Sequence, residues 1–250
     1  MSRPPVPAPL ARRLLAEYVG TLLLVAIVVG SGIAAERLSP GDVGLQLLQN
    51  SVATAFGLFA VILMVGPVSG AHLNPVVSLA DAALGRRAGT GLSGREVVAY
   101  VGTQAAGGLS GAVLANAMFD LAAASVAGKD RSGAHLWLAE VVATVGLLLL
   151  VFALARSGRA STAPAAVGAY IGAAYWFTSS TSFANPAVTL ARTVSDTFTG
   201  IAPSSVPAFV AAQLVGLTIA VGLVRALYPD VAAAADAVVV PHELSMKEPA

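Results

Sequence analysis

Long apolar runs separated by short polar loops dominate this chain. A helix that crosses a bilayer needs about 20 mostly apolar residues. Six runs read as such spans: Leu14–Ala35, Leu45–Gly66, Val97–Phe119, Leu136–Ala155, Pro164–Ser179 and Val206–Tyr228. Two further apolar stretches, Asn74–Leu84 and Asn185–Thr197, are too short to cross and read as re-entrant or buried pieces. The pattern therefore predicts an all-α membrane protein with six transmembrane helices and two half-helices. The first thirteen residues carry three Arg and four Pro with no long apolar core, so Leu14 opens a retained helix rather than a cleaved signal peptide. Residues 1–13 are expected to form a cytoplasmic segment, 14–228 the membrane domain, and 229–250 a polar-to-mixed cytoplasmic tail.

Composition agrees with the pattern. The 250 residues are 56% hydrophobic and 11% charged, against about 25% charged in an ordinary soluble domain. Mean hydropathy is +0.80. Such a chain is neither disordered nor a water-soluble enzyme; its apolar surface needs lipid. A net charge of +1 gives no nucleic-acid footprint. There is no cysteine, and His72, His135 and His242 lie far apart in sequence, so no metal site and no cofactor is expected.

Basic residues in short loops set orientation. With the N-terminus inside, ten fall on the cytoplasmic side: Arg3, Arg12, Arg13, Arg86, Arg87, Arg95, Arg156, Arg159, Arg225 and Lys247. Four fall opposite: Arg37, Lys129, Arg131 and Arg192. Both termini are thus expected inside, with an even number of spans.

The chain repeats itself. Leu15-Ala16-Glu17-Tyr18-Val19-Gly20-Thr21 matches Leu138-Ala139-Glu140-Val141-Val142-Ala143-Thr144. Asn74-Pro75-Val76-Val77-Ser78-Leu79-Ala80 matches Asn185-Pro186-Ala187-Val188-Thr189-Leu190-Ala191. Gln104 with Gly107 then matches Gln213 with Gly216, at spacings of 30 and 28 residues from the respective Asn. Each half (about 14–119 and 136–228) holds three spans, an odd number, so the halves must be inverted relative to each other.

Asn is favoured at a helix N-cap and Pro at the first helical position. One Asn-Pro alone reads better as a loop turn; two at matching places in an inverted repeat read as half-helix starts. Entering from opposite faces, they would meet N-terminus to N-terminus and aim two positive dipole ends and two side-chain amides at one spot. A cation or proton is repelled there, while a neutral molecule with lone pairs can pass. Glu17 and Glu140 sit within apolar spans. They read as acceptors for irregular backbone before each half-helix rather than as a proton relay.

These motifs, with His72, Glu17 and Glu140, resemble the major intrinsic protein (aquaporin/glycerol facilitator) family over about residues 11–228. The resemblance implies an aquaporin-like fold assembled as a homotetramer with one pore per subunit. It also implies that His72 lines the cytoplasmic pore and that both glutamates support the loops. The dipole barrier is already the recognised proton exclusion of aquaporins. The first box departs from the family's Asn-Pro-Ala at Val76, while Ala187 keeps it.

Family members that select water place an Arg three residues after the second Asn. Here that position is Val188, and the four filter positions align as Thr54, Ala173, Ser182 and Val188. The ring should be wider and less cationic, admitting solutes larger than water. Glycerol-conducting members usually keep the Arg and follow it with Asp; Val188 and Thr189 match neither. A bacterial branch associated with arsenic-resistance operons looks similar, with Val for Arg and the run Thr178-Ser179-Ser180-Thr181-Ser182-Phe183-Ala184-Asn185. The substrates implied are arsenite or other neutral metalloid hydroxides, with or without water and glycerol. Tyr175, Trp176 and Phe177 read as membrane-interface or subunit contacts. Gly102, Gly107, Gly108 and Gly111 read as close helix packing. Arg192 and Asp81, each seven residues after its Asn, read as helix-end or subunit contacts in preference to a displaced filter charge. A passive channel is therefore expected, not an enzyme, with the bilayer and small neutral solutes as its partners. The alternatives are a water-selective aquaporin and an ion-coupled secondary transporter.

Overall fold

The structure is a computed structural model that describes residues 8–86 and 89–228. The expectations on Arg3, Arg87, Lys247 and the tail 229–250 lie outside the described residues. Among the described residues eight α-helices appear in chain order: α1 (Leu10–Leu38), α2 (Val43–Ser69), α3 (Pro75–Gly85), α4 (Gly94–Met118), α5 (Ala134–Arg156), α6 (Ala163–Phe177), α7 (Pro186–Ala191) and α8 (Val206–Leu227). The described residues contain no strand. Helices α1, α2, α4, α5 and α8 are long and apolar enough to cross a membrane. The fifteen residues of α6 span about 22 Å, short of a hydrocarbon core of about 30 Å. A 3-10 turn, Ala160–Thr162, precedes it, and at its end the backbone turns extended at Thr178.

Local sequence explains the starts. Asp42 caps α2 by accepting from the Leu45 amide. Ser93 and Glu96 close a reciprocal capping box on α4. Asn74 and Asn185 cap α3 and α7 with extended backbone, and Pro75 and Pro186 follow as the first helical residues. The second half-helix is shorter than expected. It ends at Ala191 and tightens into a 3-10 turn, Arg192–Val194, where the expected segment ran to Thr197.

The two repeats interlock. Helix α1 packs against α2 and α4, α5 against α8, and α2 against α6 across the repeats. Each half-helix touches both halves: α3 lies on α4 and α8, and α7 on α4 and α8. Gly107 and Gly111 let α4 close on α1, since a Cβ there would sit 2.4 Å from the Tyr18 carbonyl oxygen and 2.2 Å from that of Leu22. Gly216 does the same on α8, where a Cβ would lie 2.9 Å from the Val141 carbonyl oxygen. Gly108 admits α7 to α4, a Cβ there lying 3.1 Å from that of Ala191. Gly102 faces open space and makes no such contact, unlike the packing role expected for it. Apolar side chains from both repeats, including Leu24, Val28, Ile62, Leu147, Val151 and Val188, form one continuous core.

Candidate functional site

The loops before α3 and α7 have the same unusual backbone. Ala71 and Leu73, three and one residues before Asn74, have φ of 47° and 50°. Ser182 and Ala184, in the same register before Asn185, have φ of 51° and 44°. Left-handed conformations are unfavourable for non-glycine residues and persist only where surroundings enforce them. Glu17 and Glu140 enforce them. Glu17 accepts from the His72 and Leu73 amides at 2.9 and 2.7 Å, from Ser69 Oγ and from Gln104 Nε2. Glu140 accepts from the Phe183 and Ala184 amides at 2.9 and 2.8 Å and from Gln213 Nε2. Both carboxylates are fully buried. Gln104 also donates to Ser78 Oγ, and Gln213 to Thr189 Oγ1; both hydroxyls lie four residues past their Asn. The glutamates thus hold the loops, as their place in the repeat suggested.

The Asn side chains join the repeats. Asn74 Oδ1 accepts from the Val76 amide, and Asn185 Oδ1 from the amides of Ala187 and Val188. Those bonds fix the opposite end of each side-chain amide. Asn74 Nδ2 then donates to the Ala184 carbonyl, and Asn185 Nδ2 to the Leu73 carbonyl, each at 2.8 Å. Each Nδ2 carries two hydrogens, so one remains for another acceptor.

One cavity borders both Asn residues. His72 lies at its wall, with Nδ1 3.0 Å from Ser78 Oγ and its ring 5.3 Å from that of Tyr100. Apolar side chains, among them Leu24, Val28, Leu58, Leu147, Val151 and Val167, make up most of the rest. Thr54, Ser182 and Val188 also line it. Pro75, Val76, Pro186 and Ala187 shape the half-helix starts without bordering the cavity.

Two assignments move. Ala173 is exposed on the outer side of α6 and is absent from the cavity. The residues of α6 that face inward are Val167, Ile171 and Tyr175, spaced by one helical turn. Tyr175, expected at an interface, is 3% exposed, and its hydroxyl lies 3.1 Å from Thr54 Oγ1. Trp176 and Phe177 do face outward, at 52% and 56% exposure. The cavity side of α6 therefore runs through Tyr175, two residues from Ala173, on the four-residue spacing that starts at Val167. Arg192 also borders the cavity, 2% exposed, whereas its counterpart Asp81 accepts from the Leu92 amide at the end of α3.

Near Arg192 the loop between α4 and α5 brings further cations. The Arg131 guanidinium lies 5.0 Å from the Phe183 ring centre, and its Nε donates to the Gly200 carbonyl. Lys129 Nζ donates to the Phe198 carbonyl and stands 5.0 Å from that ring. Lys129 belongs to the exposed surface, yet desolvation of its ammonium, with repulsion from Arg131 and Arg192, pulls its pKa from 10.5 to about 8. No cluster of three metal-ligating side chains exists among the described residues.

Inverted repeats, paired half-helices and a cavity at their meeting point define a membrane pore protein of the aquaporin type. The sequence profile of the major intrinsic protein family matches residues 6–182, and the chain belongs to that family. It is 49% identical over 216 residues to "Aquaglyceroporin AqpS" of Rhizobium meliloti (strain 1021), covering 86% of this chain and 90% of that one. It is 31% identical over 172 residues to "Aquaporin AqpM" of Methanothermobacter marburgensis, covering 60% and 68%. The X-ray structure of the aquaglyceroporin from Plasmodium falciparum superposes with a TM-score of 0.67 at 19% identity, covering 89% of this chain and 99% of that one, a likeness of fold.

Proposed function

We propose that the protein is a passive channel for small uncharged solutes, with protons and ions excluded where the two half-helices meet. The observation that carries this reading is the convergence of Asn74 and Asn185, each a helix N-cap, on one largely apolar cavity. A solute there meets amide donors and positive dipole ends and few groups that could carry a proton across. The two buried carboxylates support it too: their bonds go to loop amides, to Gln104 and Gln213 and, for Glu17, to Ser69 Oγ, which suits holding the loops better than relaying protons.

The substrate class follows from the wall. With Val188 in place of an Arg, the constriction admits solutes larger than water: arsenite and other neutral metalloid hydroxides, with or without water and glycerol. The aquaglyceroporin name of the Rhizobium meliloti relative supports glycerol among them. The family resemblance and the helical spans support a place in the cell (inner) membrane as a homotetramer, and the ten-to-four distribution of basic residues supports both termini cytoplasmic.

Purified full-length protein in proteoliposomes tests this. Stopped-flow light scattering with water and glycerol, and uptake of arsenous acid, should show flux above protein-free vesicles, with low activation energy and no response to ionophores. Flux abolished by collapsing an ion gradient would establish a coupled transporter instead.

A further inference from the structure

Among the filter positions expected from sequence, none carries a charge. Arg192 is buried, borders the same cavity as Thr54, Tyr175, Ser182 and Val188, and has its guanidinium carbon 3.5 Å from the centre of the Phe183 ring. Its Nε donates to the Thr199 carbonyl at 2.5 Å. That is its one protein acceptor among the described residues, so the terminal nitrogens keep their hydrogens. Ser182 Oγ is a second clue. It is buried at the same wall without a hydrogen-bond partner among the described residues. A hydroxyl left so is costly unless something arrives to pair with it.

We propose that Arg192 and Ser182 form the solute-recognition subsite of the channel, a guanidinium donor and a hydroxyl that bind the oxygens of a polyhydroxylated solute such as glycerol or arsenous acid. The inference rests on the channel reading above and specifies its filter. The shortness of α7 makes it possible. Asp81, the counterpart of Arg192, lies inside an eleven-residue helix and serves a loop amide. Helix α7 stops after six residues, so Arg192 stands at its C-cap, where the chain turns and the side chain stacks on Phe183. The charge absent at Val188 is thereby restored one turn further along. Val188 and the aliphatic wall offer the solute no polar partner, and the paired hydroxyls of Thr54 and Tyr175 border the same cavity, as do His72 and the two Asn residues. The Phe183 stack keeps the guanidinium flat against the wall, so it supplies donors without closing the passage.

The test uses full-length protein in proteoliposomes, with water, glycerol and arsenous acid as probes. Arg192→Met keeps side-chain bulk and removes the donors; Arg192→Lys restores an ammonium; Ser182→Ala removes only the hydroxyl. For whichever of the two larger probes wild type passes, the permeability ratio to water should fall about tenfold in Arg192→Met, the loss of one to two net hydrogen bonds. It should fall severalfold in Ser182→Ala and stay within about threefold of wild type in Arg192→Lys. An unchanged ratio in Arg192→Met, an equal fall for water and solute, or a fall in Arg192→Lys as deep as in Arg192→Met overturns the proposal. If Arg192→Met does not fold, Ser182→Ala decides alone, and an unchanged ratio there overturns it. Wild-type vesicles that pass no probe faster than empty ones would instead overturn the channel reading itself.

Discussion

Asn74 and Asn185 each hold the other's loop: the Nδ2 of one donates to the carbonyl of the residue just before the other, both at 2.8 Å. The bonds join residues 110 and 112 positions apart, so they lock the repeats together at the centre of the fold. The same side chains cap α3 and α7 through Oδ1. Asn185→Ala should therefore lose a cap and a crossing bond at once and leave the Leu73 carbonyl unpaired. Together these cost roughly 2–4 kcal/mol. Thermal unfolding in detergent should show a clearly lower midpoint, and an unchanged one would contradict the clasp.

The glutamates carry a sharper chemical test. Glu140 accepts on both oxygens, from the Phe183 amide on one and from the Ala184 amide and Gln213 on the other. Glu140→Gln is nearly isosteric, but it replaces one acceptor with an NH2 group that faces a donor. Each amide left unpaired costs about 1–3 kcal/mol. The expected outcome is reduced folded yield and a lowered melting midpoint. A stable variant whose only change is lost proton-coupled uptake would mark the carboxylate as a relay.

Much of this architecture can be read from residues alone. The two Asn-Pro boxes, the two buried glutamates and Gln104 with Gln213 occur in matching order, and their bonding partners match in kind. Repeated motifs and the family resemblance suffice there because polar groups in lipid have few permissible partners. Side-chain direction on α6 was not legible. Its apolar residues run all round, Tyr175 reads with Trp176 and Phe177 as part of an interface cluster, and Ala173 takes its filter place from family matching alone. The place of Arg192 was open for another reason: a displaced filter charge and a helix-end or subunit contact both fit the sequence, and nothing in Pro186–Ala191 announces that α7 ends after six residues and leaves Arg192 at its C-cap beside the cavity.

Gly111 and Gly102 lie on the same helix and should answer oppositely to one methyl group. A Cβ on Gly111 would stand 2.2 Å from the Leu22 carbonyl oxygen, on rigid helix backbone, whereas Gly102 has open space. Gly111→Ala must push α1 and α4 apart, at a cost of about 1–3 kcal/mol. Gly102→Ala should be neutral or stabilise by up to about 1 kcal/mol through helix propensity. Parallel melting curves would separate them, and equal effects would show that the α1–α4 approach is looser than its geometry implies.

Lys129 predicts a pH dependence of stability. Its folded pKa of about 8 lies below the ordinary 10.5, first through desolvation and then through Arg131 and Arg192. The folded protein releases this proton first. Between about pH 8 and 10.5 the unfolded chain binds more protons, so the contribution of this site to stability rises with pH across that window and is flat below it. Lys129→Met keeps the stem over Phe198 and removes the titration. Melting midpoints of wild type and variant should converge from pH 7 toward 10, with wild type the lower at pH 7. A difference that widens with pH would contradict the assignment.

Val188→Arg tests the width of the pore most directly. Val188 is 6% exposed, borders the cavity and lies on α7, four residues before Arg192 at the C-cap of that half-helix. An Arg there adds several ångströms of side chain, a second guanidinium and new donors at the level of Thr54 and Tyr175. Water remains small enough to pass; a molecule with three hydroxyl groups is obstructed where two guanidinium groups share the wall. Arsenous acid and glycerol uptake should fall at least tenfold while water permeability stays within about threefold, a separation of roughly 1 kcal/mol in relative barrier. Repulsion from Arg192 will lower stability, so the variant is compared with Val188→Met, which adds bulk without charge and should lower solute flux less. Arsenous acid uptake equal to wild type in Val188→Arg would place the narrowest point of the channel away from Val188.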